Sequence, residues 1–164
     1  SSAASDVYKR QILISLTMAE DIKFRHTMPV QIRFSDVDQF GHMNNSVYFS
    51  LYDLAKTTYI KDVLGSADWS KLAIVVANIN ANFFMPVFFS DHLVIETAVV
   101  HLGHKSFTLL QRAVTTDTHE VKCECRTVMV GYDLATKEPK LISEDYKEAI
   151  CRYEEKTLEE LSKG

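Results

Sequence analysis

From Met28 the chain alternates. Met28, Val30, Ile32 and Phe34 are set against Gln31, Arg33 and Ser35, the period of a half-buried strand. Asp36 to Asn44 is too polar to continue it and contains a glycine, so it reads as a loop, with Asn44 or Asn45 as the N-cap of a helix. Val47, Tyr48, Leu51, Leu54, Ala55 and Thr58 then recur at helical spacing, opposite Ser46, Ser50, Asp53 and Thr57. Gly65 is the expected stop. About 19 residues make this helix roughly 28 Å long.

Leu72 to Phe84 begins as an apolar run and then alternates, a strand with a buried first half that Pro86 ends. Three further alternating stretches follow: His92–His101, Ser106–Thr116 and Val121–Tyr132. The joints between them, Gly103–Lys105 and Asp117–Glu120, are short, which makes them antiparallel neighbours. After a loop from Asp133 to Pro139, Ser143 caps a last helix with Glu144 and Asp145 in its first turn. Its apolar stripe is Tyr146, Ala149, Ile150, Tyr153, Leu158 and Leu161. One long helix and about five antiparallel strands predict an α+β domain, with the sheet curled around the helix.

Composition narrows the function without naming it. The 164 residues are 46% hydrophobic and 24% charged, with a formal net charge of −4, ordinary for a globular domain with its own core. The acidic balance argues against a general nucleic-acid binder, and no apolar run approaches the ~20 residues of a membrane span. Cys123, Cys125 and Cys151 are too few for a disulfide framework and fit a reducing cytoplasm. Residues 1–17 look foreign to the domain. Their run DVYKRQ resembles the translated end of a sequencing-library transposon, so Met18 is the expected native start.

The polar stretch before the helix is where chemistry concentrates. Backbone N–H groups at a helix start lack partners and the helix dipole is positive there, which suits a carboxylate and an oxygen that must carry negative charge. Asp36-x-Asp38 by itself suits a turn whose aspartates bond their own backbone. An EF-hand loop fails, because Phe40 and Val47 stand where ligands are required. An aspartyl-phosphate phosphatase would need a fully apolar parallel strand before the motif. Cys123 and Cys125 share a strand face with Val121, so packing explains them better than a metal site, and no metal is expected.

The whole run, DVDQFGHMNNSVYF at Asp36–Phe49, resembles the hot-dog thioesterases of the 4-hydroxybenzoyl-CoA thioesterase type, as do LGHKSF at Leu102–Phe107 and RTVMVGYD at Arg126–Asp133. The resemblance covers about residues 28–142. It implies a hot-dog domain over 18–142, with residues 143–164 as an amphipathic helix packed on it. It also implies hydrolysis of an acyl- or aryl-CoA thioester without a separate cofactor, coenzyme A being part of the substrate. Asp38 takes the place of the catalytic carboxylate, as nucleophile or general base. The backbone N–H at about Asn45 takes that of the oxyanion donor, although some members carry a histidine or tyrosine there.

His42 and Asn44 can hold Asp38 or a water in place, or only satisfy the loop backbone. Lys105, Ser106 and Phe107 fall in the hairpin that meets the pantetheine arm and phosphates. Tyr48 and Tyr52, with Phe40, Phe83 and Phe84, either shape an acyl pocket or belong to the core. A thiolate leaving group, with a thiol pKa of ~8.5, needs little acid help, so one carboxylate and an oxyanion site suffice. The expected assembly is a homodimer or a dimer of dimers, with Asp38–Asn45 from one chain meeting Lys105–Phe107 of the other. The competing readings are a hot-dog hydratase or dehydratase, and a non-catalytic acyl-CoA binding module.

Overall fold

The computed structural model describes residues 22–65 and 73–163, together with Asp6, Lys9, Arg10 and Leu13. The extension over 1–17 therefore lies almost entirely outside the described residues. In chain order the elements are β1 (His26–Val30), a 3-10 turn (Phe34–Asp36), α1 (Asn45–Leu64), β2 (Ile74–Phe83), β3 (Leu93–Leu102), β4 (Ser106–Thr115), β5 (Val121–Asp133), a two-residue β6 (Glu138–Pro139), α2 (Glu144–Glu154) and α3 (Leu158–Ser162).

The short joints make β3, β4 and β5 a meander. β1 pairs with β3 and β2 with β5, so the sheet runs β1-β3-β4-β5-β2, antiparallel throughout. α1 carries the chain from one edge of the sheet to the other and lies across one face. Its sequence is rich in β-branched and aromatic residues, poor helix formers, so packing rather than propensity holds it. Tyr48, Tyr52, Ala55, Tyr59, Ile60 and Val63 are its buried residues. The N-terminal half packs on Leu93, Ile95, Ala113 and Cys123. The C-terminal half packs on Val99, Leu102, Phe107, Leu109 and Met129, closed off by Tyr146, Ile150 and Leu161 of the last two helices.

Four expectations need correction. The first strand begins at His26 and ends at Val30, leaving Ile32 and Phe34 outside it. Asp36 accepts a hydrogen bond from the Arg33 N–H at 2.8 Å and turns the chain into the 3-10 turn, so Phe34 is 88% exposed. Leu54, expected on the buried side of the long helix, is exposed. It stands two residues, roughly 200°, round the helix from Tyr52. The first half of β2 is exposed at Val75 and Val76 rather than buried, because β2 is an edge strand. Finally, the C-terminal stripe is divided between two helices. Glu155 takes a left-handed conformation (φ 51°) and Thr157 recaps the chain with Glu160 in a reciprocal capping box.

That break sets Glu154 where it is needed. β1 pairs with β3 only as far as Thr97, and a bulge follows Val99. The Val99 N–H donates to the Glu154 carboxylate at 2.8 Å, and the Tyr59 hydroxyl donates to the same oxygen. A helix carboxylate thus replaces a missing strand neighbour.

Burial pushes the Glu154 carboxyl above the ordinary glutamate range, against the pull of those two hydrogen bonds. A carboxyl raised on folding supplies stability that is present at low pH and lost as pH rises through its folded value. Glu154→Gln cannot ionise. The stability difference between variant and wild type should therefore shift in the variant's favour as pH is raised from about 4, just below the free glutamate value, to 7. Urea denaturation at both ends of that window measures it, and a difference independent of pH would contradict the assignment.

Candidate active site

The loop before α1 is a small hairpin. Val37 and Met43 form an antiparallel bridge, the Asp38 N–H donates to the His42 carbonyl at 2.9 Å, and the Gly41 N–H donates to the Asp38 carbonyl at 3.0 Å. Gly41 closes the turn at φ +80°, a conformation that strains residues carrying a Cβ. The hairpin is stitched to the β2–β3 connection. The Met43 N–H donates to the Val87 carbonyl at 2.7 Å, and the His42 ring stands edge-on to Phe88. The Asn44 N–H donates back to the Asp36 carbonyl at 2.8 Å. The start of α1 is therefore held from both sides.

The two aspartates have different occupations. Asp36 is 4% exposed and is gripped by Arg33, with guanidinium contacts of 3.0–3.3 Å. Those hydrogen bonds hold its carboxyl below the ordinary carboxylate range. Asp38 is exposed. Its Oδ1 accepts from the Phe40 N–H at 2.8 Å and the His42 N–H at 3.4 Å, while Oδ2 has no partner among the described residues. Asp38 is thus the carboxylate of the pair with a face left for chemistry.

The helix start is accounted for donor by donor. The Ser46 N–H is taken by Asn44 Oδ1 at 2.9 Å and the Val47 N–H by the Asn44 carbonyl at 2.9 Å. The Asn45 N–H has no partner among the described residues. Asn44 is the cap, so its side chain is committed to Ser46. Beside this end lies a cavity of about 240 Å³, lined by His42, Asn45, Tyr48 and the apolar run Phe83–Pro86. Burial raises the Tyr48 hydroxyl well above its usual range, so it stays protonated.

Tyr52 and Phe107 belong to the packed interior. The Tyr52 hydroxyl donates to the Cys123 carbonyl at 3.1 Å, and its backbone carbonyl accepts from Gln111 at 2.9 Å. Phe107 is fully buried against Tyr146. Phe40 is exposed, while Phe83 and Phe84 reach the cavity.

Lys105 and Ser106 sit at the other end of the molecule. Phe107 packs with Val63 at the C-terminal end of α1, and the 20 residues of that helix span roughly 30 Å. The hairpin and the Asp38 loop therefore do not meet within one chain. Sequence reasoning missed Arg33 as the lock on Asp36 and Phe88 as the seat for His42. The second follows only from a loop crossing that no local pattern encodes. Among the described residues no group of three or more His, Cys, Asp or Glu is placed to hold a metal, and no helix is long and apolar enough to cross a membrane.

Residues 32–150 match the model of the thioesterase-like superfamily. The chain is 26% identical over 124 residues to the long-chain acyl-CoA thioesterase FadM of Escherichia coli, covering 74% of this chain and 93% of FadM. It superposes on a thioesterase from Thermus thermophilus, solved in complex with coenzyme A and Zn, with a TM-score of 0.73 and 26% identity, covering 82% of this chain and 98% of that one. A 1,4-dihydroxy-2-naphthoyl-CoA thioesterase from Synechocystis has a TM-score of 0.69 at 14% identity, covering 77% and 95%, and shares the fold. These likenesses give the curled sheet and its long helix the hot-dog architecture.

Proposed function

The chain belongs to the thioesterase-like superfamily, and on that footing we propose that it hydrolyses an acyl- or aryl-CoA thioester to free acid and coenzyme A. Asp38 supplies the carboxylate, and the N-terminus of α1 supplies the oxyanion site. The observation that most supports this is the Asn45 N–H, without a partner among the described residues, on a 20-residue helix whose dipole is positive at that end, where Asn45 itself lines the cavity. Met43, Phe83, Phe84 and Met85 give that cavity walls suited to an apolar acyl or aryl group. His42 and Asn44 serve as positioning residues, one seated on Phe88 and the other capping α1.

The working unit is a homodimer. Among the described residues β2 pairs with β5 alone, and it exposes Val75, Val76 and Ile79. Its Phe83 end lies by the Asp38 loop, through Tyr48, and its Ile74 end lies by Gly131, whose N–H donates to the Lys105 carbonyl. Antiparallel pairing of two β2 strands across a two-fold axis sets the Ile74 end of one chain beside the Phe83 end of the other. That brings Lys105 of one protomer toward Asp38 of its partner, the meeting that a single chain forbids.

Free-thiol release from a panel of acyl-CoAs, read with a disulfide dye, tests the activity. Thiol release by the wild type, slowed at least ~10²-fold in Asp38→Asn, is the expected result, and binding without release by the wild type would leave an acyl-CoA binding module. In the same assay Lys105→Ala should raise KM for acyl-CoA more than it lowers kcat, because a phosphate contact is present in ground and transition states alike. An equal effect on a short thioester without phosphate would show that Lys105 acts in another way.

A further inference from the structure

On the face of the sheet turned away from α1 there is a cavity of about 440 Å³, within the range of small-molecule sites. Its floor is Thr108 and Arg126, which alternate with the helix-facing Phe107, Leu109 and Cys125. His101 enters from the bulged end of β3, and Lys156 from the joint between α2 and α3. The Arg126 guanidinium, the Lys156 ammonium and the Thr108 hydroxyl have no hydrogen bond or ion pair among the described residues, and His101 Nδ1 is buried without a partner. Arg112, on the same face, makes the contrast. It lies cross-strand from Glu124 and is paired with it at 3.1 Å, whereas Arg126 lies cross-strand from Leu110 and Asn80, neither able to neutralise it.

We propose that this pocket is a second ligand site, binding the phosphate of a mononucleotide-sized molecule through Arg126 and Lys156. Arg126 presents a planar fork that matches two phosphate oxygens, Lys156 adds a second positive charge, and Thr108 and His101 add polar contacts. Among the described residues one acidic side chain, that of Glu160, borders the cavity. Its carboxylate accepts from the Thr157 N–H at 2.7 Å and keeps its charge, which Lys156 also feels, so two cations face one anion and the lining stays net positive. Ile22 and Val100 provide apolar wall against which a base or an aliphatic body can lie. The site shares no residue with the Asp38–Asn45 loop or with Lys105–Phe107, so it stands whether or not the chain is a thioesterase.

Isothermal titration of the full chain with AMP, inorganic phosphate and adenosine is the test. AMP should bind, phosphate more weakly, and adenosine more weakly still. Arg126→Ala should raise the Kd for AMP at least tenfold, Lys156→Ala should weaken it in the same direction, and Arg126→Lys should restore part of the loss. Lys105→Ala should leave AMP binding unchanged. Arg126 is exposed, so its replacement should leave the fold intact, which circular dichroism checks. Failure of both AMP and phosphate to bind, or AMP binding indifferent to Arg126→Ala, overturns the proposal. So does AMP binding lost equally in Lys105→Ala, or an Arg126 dependence seen with coenzyme A and not with AMP, either of which assigns the phosphate to the thioester substrate.

Discussion

Asp38→Asn should lower the turnover of acyl-CoA hydrolysis by at least ~10²-fold, the scale of one acid–base group, while acyl-CoA binding survives. The substitution keeps the shape of the side chain and one carbonyl oxygen, so the turn made with the Phe40 and His42 N–H groups can persist. What disappears is the carboxylate's negative charge, with Oδ2, the oxygen that has no partner among the described residues, replaced by or exchanged with an amide group. If Asp38 attacks the thioester carbonyl, a mixed anhydride forms as the thiolate departs, and water then cleaves it. If it acts as a base, it takes a proton from the water that attacks. A single turnover in oxygen-18 water bears on the choice: label appearing in Asp38 shows an anhydride cleaved at the aspartyl carbonyl, and label confined to the product acid shows that water attacked the acyl carbon.

Asp36→Asn should behave differently. Asp36 is buried and engaged by Arg33, so its loss should loosen the loop and lower stability while reducing turnover less than Asp38→Asn. Near-normal hydrolysis by the Asp38→Asn variant would refute the assignment of the site.

The second large effect is expected at the open edge of the sheet. If the proposed dimer forms through β2, Val76→Glu combined with Ile79→Glu should convert it to monomers and abolish most of the proposed hydrolysis, although neither residue lines the cavity beside the Asp38 loop. Both side chains are exposed in the single chain, at 42% and 46%. Surface changes of that kind usually alter stability by no more than ~0.5 kcal/mol. Both also line a groove with Phe49 and Tyr52 of α1, so circular dichroism must first show the variant folded; with the fold intact, a large effect comes from pairing, where the substitution brings like charges together across the two-fold axis. Sedimentation equilibrium reads the assembly and thiol release reads the activity. A wild-type chain that is a stable, active monomer would end the dimer proposal, and so would a double variant that stays dimeric and active.

Much of the fold could be read from local pattern because its causes are local. Alternation placed β3, β4 and β5 within a residue or two of their observed ends, and the short joints made them a meander. Asn44, Gly65 and Ser143 stand at the helix boundaries where capping chemistry put them. The polar run before α1 was legible for the same reason: a cap, a glycine turn and two carboxylates declare themselves within a few residues.

Where the pattern misled, the deciding partner was distant in the chain or the backbone left its average conformation. The apolar run Ile74–Val76 has the composition of a buried strand, yet it lies at an edge. Composition records what a side chain tolerates, while the strand order follows from where α1 delivers the chain. The stripe from Tyr146 to Leu161 keeps a helical appearance through Glu155, whose left-handed turn serves a contact between Glu154 and the bulged edge of β3.

The same division runs through the candidate site. Asp36 and Asp38 are equivalent as letters, two residues apart. The resemblance pointed to Asp38, but the physical difference lies in the folded loop, which gives one to Arg33 and leaves the other an oxygen without a partner among the described residues. Tyr48 and Tyr52 share one helix face, but the distances to Phe83 and Cys123 assign the first to the cavity wall and the second to the core. Side-chain type and spacing act over a turn or two of chain. Which groups meet depends on crossings between elements dozens of residues apart, and these are settled when the sheet closes over the helix.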